Sequence, residues 1–404
     1  MRAAVTEEVA GTDRGEALHR ALERFPAGLF RFDERMREGW LSDRYFVRAA
    51  LTLEHAGRDP VVTMQCFAKQ RGVLAGAYEC VRLLETQLAE GYEPRDLRVH
   101  TLLDGDSLEP WETALLVTGP YRAFAHLETP LLGVLARRTL VASNTRRAID
   151  AAGGKGVIFM AARHDDWRVQ VADGYAAKLG GAQSVSSDAG GAWWGARGVG
   201  TMPHALIAAF GGDTVEATLA FTRYIRAQEP GVAIVSLVDY DNDVIGDSLA
   251  VVRAMRAEFG DGALDAVRVD TSEKLIDQSL IGDPEVWGRD TLTGVNAHLV
   301  RRLRAALDEA GFPAVGIVVS GGFTPDKIRA FEEAAVPVTG YGVGSSLVGH
   351  NDGAGGLLSG FDFTADVVEV EGEPESKVGR KLEPNPRLVE LEWDRVLATV
   401  GEGR

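Results

Sequence analysis

Two glycine-rich segments carry the clearest chemical signal in the sequence. In Val318-Val319-Ser320-Gly321-Gly322-Phe323-Thr324-Pro325 an apolar run stops at Ser320, two glycines free the backbone, and a helix starts at Thr324 with Pro325 at its first position. Gly340-Tyr341-Gly342-Val343-Gly344-Ser345-Ser346 repeats the arrangement after the next apolar run. Backbone amides turned inward by such glycines attract an anion. Either loop by itself could be no more than a tight turn. As a pair, Ser320, Gly321, Gly322, Gly342, Gly344 and Ser345 point to one phosphate cradle. Acidic residues end two other apolar runs: Asp239 follows 234–238, and Asp270 follows 267–269 with Arg268 two residues before it. Carboxylates so placed can hold ribose hydroxyls or a Mg²⁺ ion, and they can equally cap the next helix. His204 lies in GTMPHAL, where glycine and proline mark a loop at a helix start, although a lone histidine is more often structural or exposed. Arg163 and His164 follow the run 157–162, with a solvated loop as the alternative.

These residues need elements to bring them together. From residue 156 onward, β-branched apolar runs at 156–162, 182–187, 233–240, 264–271, 314–320 and 338–344 read as strands buried on both faces, with a short seventh near 199–201. Helices alternate with them: 248–259 stopped by Gly260, one ending at Gly311 with Leu299, Leu303 and Leu307 on one face, and one opening at Thr324 that buries Ile328 and Phe331. Six or seven βα units favour an α/β barrel over an open doubly wound sheet, and in barrels the loops after the last two strands commonly form a phosphate site. Upstream, strands at 61–67, 97–103 and 115–121 and a helix at 73–88 read as an α+β region, followed by one or two long helices over 127–152. The expected order is a polar tail with one short helix (1–24), an N-terminal α/β domain (25–126), the barrel (127–361) and a C-terminal segment (362–404) with a short strand at 366–370.

Composition narrows the function. The chain has 404 residues, and 43 basic against 59 acidic residues leave a net charge of −16, which argues against nucleic acid or an anionic membrane as partner. A small anionic substrate remains compatible, because a few local donors suffice for one phosphate. No apolar run approaches the roughly 18–20 residues of a membrane span, and the first residues lack the apolar core of a signal peptide. Two cysteines, Cys66 and Cys80, build neither a disulfide framework nor a four-cysteine zinc site, so reduced thiols and a cytoplasmic location are expected.

GTMPHAL, VRVDT, VSGGF, GYGVGSSL and the ending DFTADVVEVEGEPESKVGRK resemble the corresponding segments of nicotinate phosphoribosyltransferases, and EGWLSDRYFVRA resembles that family's aspartate-x-tyrosine segment. The likeness runs in order from Arg37 to Lys381. It implies an irregular barrel, an N-terminal α/β sandwich that the C-terminal segment completes, and a homodimer with shared active sites. By position, Tyr45 resembles the aromatic lent to the partner's site, beside Asp43, and Phe159 the aromatic on the other face of the pyridine ring. Arg268 resembles the arginine that meets the ring and its carboxylate. Asp239 and Asp270 resemble the acidic residues around the phosphoribosyl group, the glycine loops the 5′-phosphate cradle, and His204 the histidine phosphorylated when ATP hydrolysis is coupled. The implied substrates are phosphoribosyl diphosphate and a small aromatic acid. Mg²⁺ is expected on the diphosphate, with Asp239 as a further ligand, ATP coupling is left open, and no zinc is expected.

The sequence also departs from that family. Where phenylalanine-glycine-x-arginine-arginine is usual it reads Phe159-Met160-Ala161-Ala162-Arg163, so the first arginine, expected on the diphosphate, is Ala162. Arg163 can compensate from the next position. The basic serine-rich stretch after VRVDT is replaced by Ser272-Glu273-Lys274-Leu275. A paralogue acting on quinolinate or another ring acid or amine, an unrelated phosphate-binding barrel, and a non-catalytic relative stay open beside the nicotinate reading.

Overall fold

The computed structural model of the chain describes residues 13–282, 288, 292–350 and 355–398. It divides into two compact units, one of residues 144–359 and one of residues 1–143 with 360–404.

In unit 144–359 six short strands form a parallel sheet: β1 (Gly156–Phe159), β2 (Ser184–Val185), β3 (Val235–Leu237), β4 (Ala266–Val269), β5 (Gly316–Val319) and β6 (Gly340–Val343). Their order is β2-β1-β6-β5-β4-β3. The last strand therefore pairs with the first, Gly340 opposite Gly156 and Val343 opposite Phe159, and the sheet curls as a half-barrel. Beyond β2 the expected seventh strand is a single bridge from Val185 to Gly198. Three glycines and a proline between Gly195 and Pro203 weaken any strand there. Among the described residues no ladder joins that edge to β3, so strand pairing does not complete the closed ring expected from the sequence.

Register decides which residues share a face, because side chains alternate along each strand. Leu237, Arg268, Val318 and Gly340 lie side by side. The same alternation carries Asp239, Asp270, Ser320 and Gly342 onto that face, and Gly342 is opposite Ile158. The other face carries Val157, Phe159, Val319, Tyr341 and Val343, all at most 4% exposed. It packs on helices: the Tyr341 ring lies 5.5 Å from Phe323, and its hydroxyl bonds Glu332 in the helix Pro325–Glu333. The helix Ala297–Glu309 buries Leu299, Val300, Leu303 and Leu307, each worth about 1.5–3 kcal/mol.

The other unit holds a six-stranded antiparallel sheet in the order Glu373–Pro374, Phe363–Val370, Val61–Ala68, Thr113–Pro120, Arg98–Thr101, Val389–Glu390. Both outer positions come from the C-terminal segment. The short helix expected in a polar tail is Arg14–Arg24, with Leu18, Ala21 and Leu22 buried; residues 1–12 of that tail lie outside the described residues. A fully buried arginine ties the helix down. Arg82 donates to the carbonyls of Phe25 (2.8 Å) and Leu22 (2.7 Å) and pairs with Glu85. Removing one member of such a buried network costs about 3–5 kcal/mol. Glu128–Ala151 is one continuous helix.

Candidate active site

The face just described gathers four of the expected residues at the C-terminal ends of β3, β4 and β5. Ser320 Oγ donates to Asp270 Oδ1 at 2.8 Å, and the Arg268 guanidinium lies 3.7 Å from Asp270 Oδ2. Nη1 of Arg268 also donates to Thr201 Oγ1, while its Nε is buried without a partner. Burial lowers the pKa of Arg268, opposed by Asp270 and Asp239 and reinforced by Arg163. His204 Nε2 stands 3.2 Å from Asp239 Oδ2, and the Asp239 side chain is only 5% exposed. That hydrogen bond raises the pKa of His204 against the opposing effect of burial. Neither carboxylate is a helix cap. Asp243 caps Val244–Phe259 through a bond from Gly246 N, and Asn296 caps Ala297–Glu309. Two carboxylates, a guanidinium and an imidazole thus converge without a structural duty that would consume them.

The glycine loops border this cluster. Gly321 has φ +86°, a left-handed conformation that side chains rarely adopt, and a Cβ there would meet Asp270 Oδ1 at 3.1 Å. Gly344 has no such constraint; there a Cβ would meet His164 Cε1 at 2.7 Å and the Met160 carbonyl at 3.2 Å. Ser346 Oγ donates to the Phe323 carbonyl and links the two loops. The amides of Gly321 and Gly322 make no hydrogen bond among the described residues, which leaves them free to donate to an anion. Ser345 opens the turn Ser345–Val348.

Arg163 is exposed on the turn Ala162–His164, close enough to act electrostatically on Arg268. Phe159 is not brought to the cluster. It pairs with Val343 and Val185, is 4% exposed, and shares the helix-packed side of the sheet with Val157 and Tyr341. Ile158 and Met160 have the parity that faces Arg268 and Asp270, and Met160 Sδ fills the space beside Gly342. Tyr45 belongs to the other unit. It is 62% exposed there, its hydroxyl 3.4 Å from Asp43 Oδ2, which also accepts from Thr129. Sequence reasoning passed over Thr201, and it noted Met160 only as standing in the place of a glycine. Thr201 was legible as the polar residue between Gly200 and Met202, whereas Met160 needed the register.

Residues 43–139 match the family described as quinolinate phosphoribosyl transferase, N-terminal domain. The nicotinate phosphoribosyltransferase pncB1 of Mycobacterium tuberculosis is 29% identical over 398 residues, spanning 90% of this chain and 80% of the relative. Over most of its length the chain is similar to the nicotinate phosphoribosyltransferases. A nicotinate-nucleotide pyrophosphorylase from Pyrococcus furiosus has a similar structure, with a TM-score of 0.72 at 29% identity over 88% of this chain and 81% of that one. Human nicotinic acid phosphoribosyltransferase gives 0.62 at 20% identity over 84% and 77%, a likeness of fold. At the turn after β1 this chain places the thioether of Met160 and the methyl group of Ala162.

Proposed function

We propose that the chain transfers 5-phosphoribose from phosphoribosyl diphosphate to nicotinate, giving nicotinate mononucleotide and diphosphate in NAD synthesis. The observation that carries this reading is the convergence of Asp239, Arg268, Asp270 and Ser320 on one sheet face beside the two glycine loops. The pyridine nitrogen gives its lone pair to C1 of the ribose while the C1–O bond to diphosphate breaks and its electrons leave with the diphosphate. No protein nucleophile is needed, so catalysis rests on positioning and charge. Asp239 and Asp270 offer carboxylates to the ribose hydroxyls and to the positive charge growing at C1. Arg268 offers a guanidinium to the acceptor's carboxylate, and Arg163 one to the diphosphate.

The donor set fits a Mg²⁺ ion. Asp239 Oδ1 is buried without a partner, and no cluster of three or more metal-binding side chains occurs among the described residues. One carboxylate plus substrate phosphates is how this ion is commonly held, and when bound it would neutralise charge on the leaving diphosphate. His204, exposed and steered by Asp239, is the residue we assign to ATP coupling; undiminished ATP hydrolysis in His204→Ala would remove it. Exposed Tyr45 supports a dimer in which each copy completes the other's site. No described helix is long and apolar enough to cross a membrane.

The test is diphosphate release from phosphoribosyl diphosphate with nicotinate, nicotinamide, quinolinate and related ring acids. Turnover is expected with nicotinate. Turnover of another acceptor with none of nicotinate would overturn the assignment and make Met160 and Ala162 the first residues to exchange.

A further inference from the structure

Lys327 sits in the first turn of the helix that follows Gly321-Gly322-Phe323. Its side chain is half-buried, and its ammonium turns back toward that loop. It lies 4.3 Å from the centre of the Phe323 ring, and its one hydrogen-bond partner among the described residues is the Gly321 carbonyl at 3.5 Å. No carboxylate of the described residues comes within ion-pair distance of it, and Glu273 acts on it only at longer range. Burial lowers its pKa. A half-buried cation without a counter-anion is costly unless something else supplies the negative charge.

The electrostatics of the adjoining loop say what that is. Asp270 Oδ1 approaches within 3.1 Å of where a Gly321 side chain would begin, so a phosphate seated at this loop meets a carboxylate's repulsion. Arg268 and His204 already face Asp270 and Asp239. The loop amides carry only partial charge. A full positive charge on the helix side of the same loop is what a phosphate dianion requires there.

We infer that Lys327 binds the phosphate of the phosphoribosyl group at Gly321–Gly322 and sets the preference for phosphorylated over unphosphorylated ribose. This rests on the phosphoribosyltransferase reading. The ribosyl phosphate does not react, so Lys327 contributes binding that is equal in ground and transition states, and its loss falls on KM for phosphoribosyl diphosphate more than on kcat.

Calorimetry on the full chain with ribose 5-phosphate, ribose and inorganic diphosphate tests it. Lys327→Gln should weaken ribose 5-phosphate about ten- to hundred-fold, the range of one charge-assisted hydrogen bond, with a much smaller effect on diphosphate. Lys327→Arg should keep affinity within about threefold, since a cation remains. Should the glutamine variant fail to fold by circular dichroism, Lys327→Met, which keeps the apolar stem over Phe323, takes its place. A folded neutral variant that binds ribose 5-phosphate as tightly as wild type overturns the inference and leaves the enzyme reading standing. Wild-type protein that binds neither ribose 5-phosphate nor phosphoribosyl diphosphate defeats both.

Discussion

Replacing Arg268 by methionine keeps much of the side-chain volume and removes the guanidinium that lies beside Asp270 and within the electrostatic reach of Asp239. At the 3.7 Å separation from Asp270, two unit charges attract by about 4 kcal/mol at an effective dielectric near 20. Desolvating an arginine that is 14% exposed offsets part of that, so the net loss of stability should be about 2–3 kcal/mol. For a unit of this size that lowers the melting temperature by roughly 5–10 °C. If Arg268 also meets the acceptor's carboxylate, losing that partner in a desolvated site costs about 2–5 kcal/mol, which is at least about 30-fold in KM for nicotinate. The preference for nicotinate over nicotinamide should narrow by a similar factor, since the amide never gained the ion pair. Initial rates with both acceptors and a thermal melt read the two effects separately. A lowered melting temperature with an unchanged nicotinate KM would show that Arg268 serves only to neutralise the carboxylates. An unchanged melting temperature would refute the ion-pair estimate itself.

Asp239→Asn should return the His204 pKa from its raised value toward 6.5, followed by NMR titration of the imidazole. Because the folded pKa lies above the unfolded one, the pair's stabilisation is complete below about pH 6.5 and fades as pH rises through the folded value; the asparagine variant should lose that slope, and an identical slope would exclude the pair as its source. Gly321→Val, which forces a β-branched residue to φ +86°, and Gly344→Val, which drives a side chain into His164, should each abolish phosphoribosyl diphosphate binding by calorimetry. Unchanged binding in both would remove the phosphate cradle from these loops. Mixing Tyr45→Ala with Asp270→Ala, each inactive alone, should restore partial activity after subunit exchange; no rescue would count against a shared site.

The parallel strands were legible because each is a short β-branched run buried on both faces, and the loops after β5 and β6 were legible because their glycines interrupt those runs. Strand ends were less so. The apolar run 156–162 stops as a strand at Phe159 because the chain turns at Ala162–His164, a change of direction that hydrophobicity does not encode. Phe159 shows the limit for the site. Its type suits a ring stack, yet its orientation follows from parity against Val343 and Val185, and pairing across nearly 200 residues is invisible in a linear reading. Asp239 and Asp270 could have been helix caps on sequence grounds, and only the presence of Asp243 and Asn296 in those roles separates the alternatives.

The strand order of the antiparallel sheet has a consequence for biosynthesis. Its inner strands, Val61–Ala68 and Thr113–Pro120, leave the ribosome early, but Phe363–Val370, which flanks the first of them, is made about 240 residues later. At about 5–20 residues per second the nascent sheet waits on the order of 10–50 s with an apolar strand open along one side. Val389–Glu390, which covers Arg98–Thr101, arrives later still. An unpaired apolar edge is a template for strands of other chains, so the half-translated polypeptide, and not the finished protein, is the species at greatest risk of aggregation. Slowing translation between residues 120 and 363 should therefore lower the soluble yield, while slowing it after residue 398 should not.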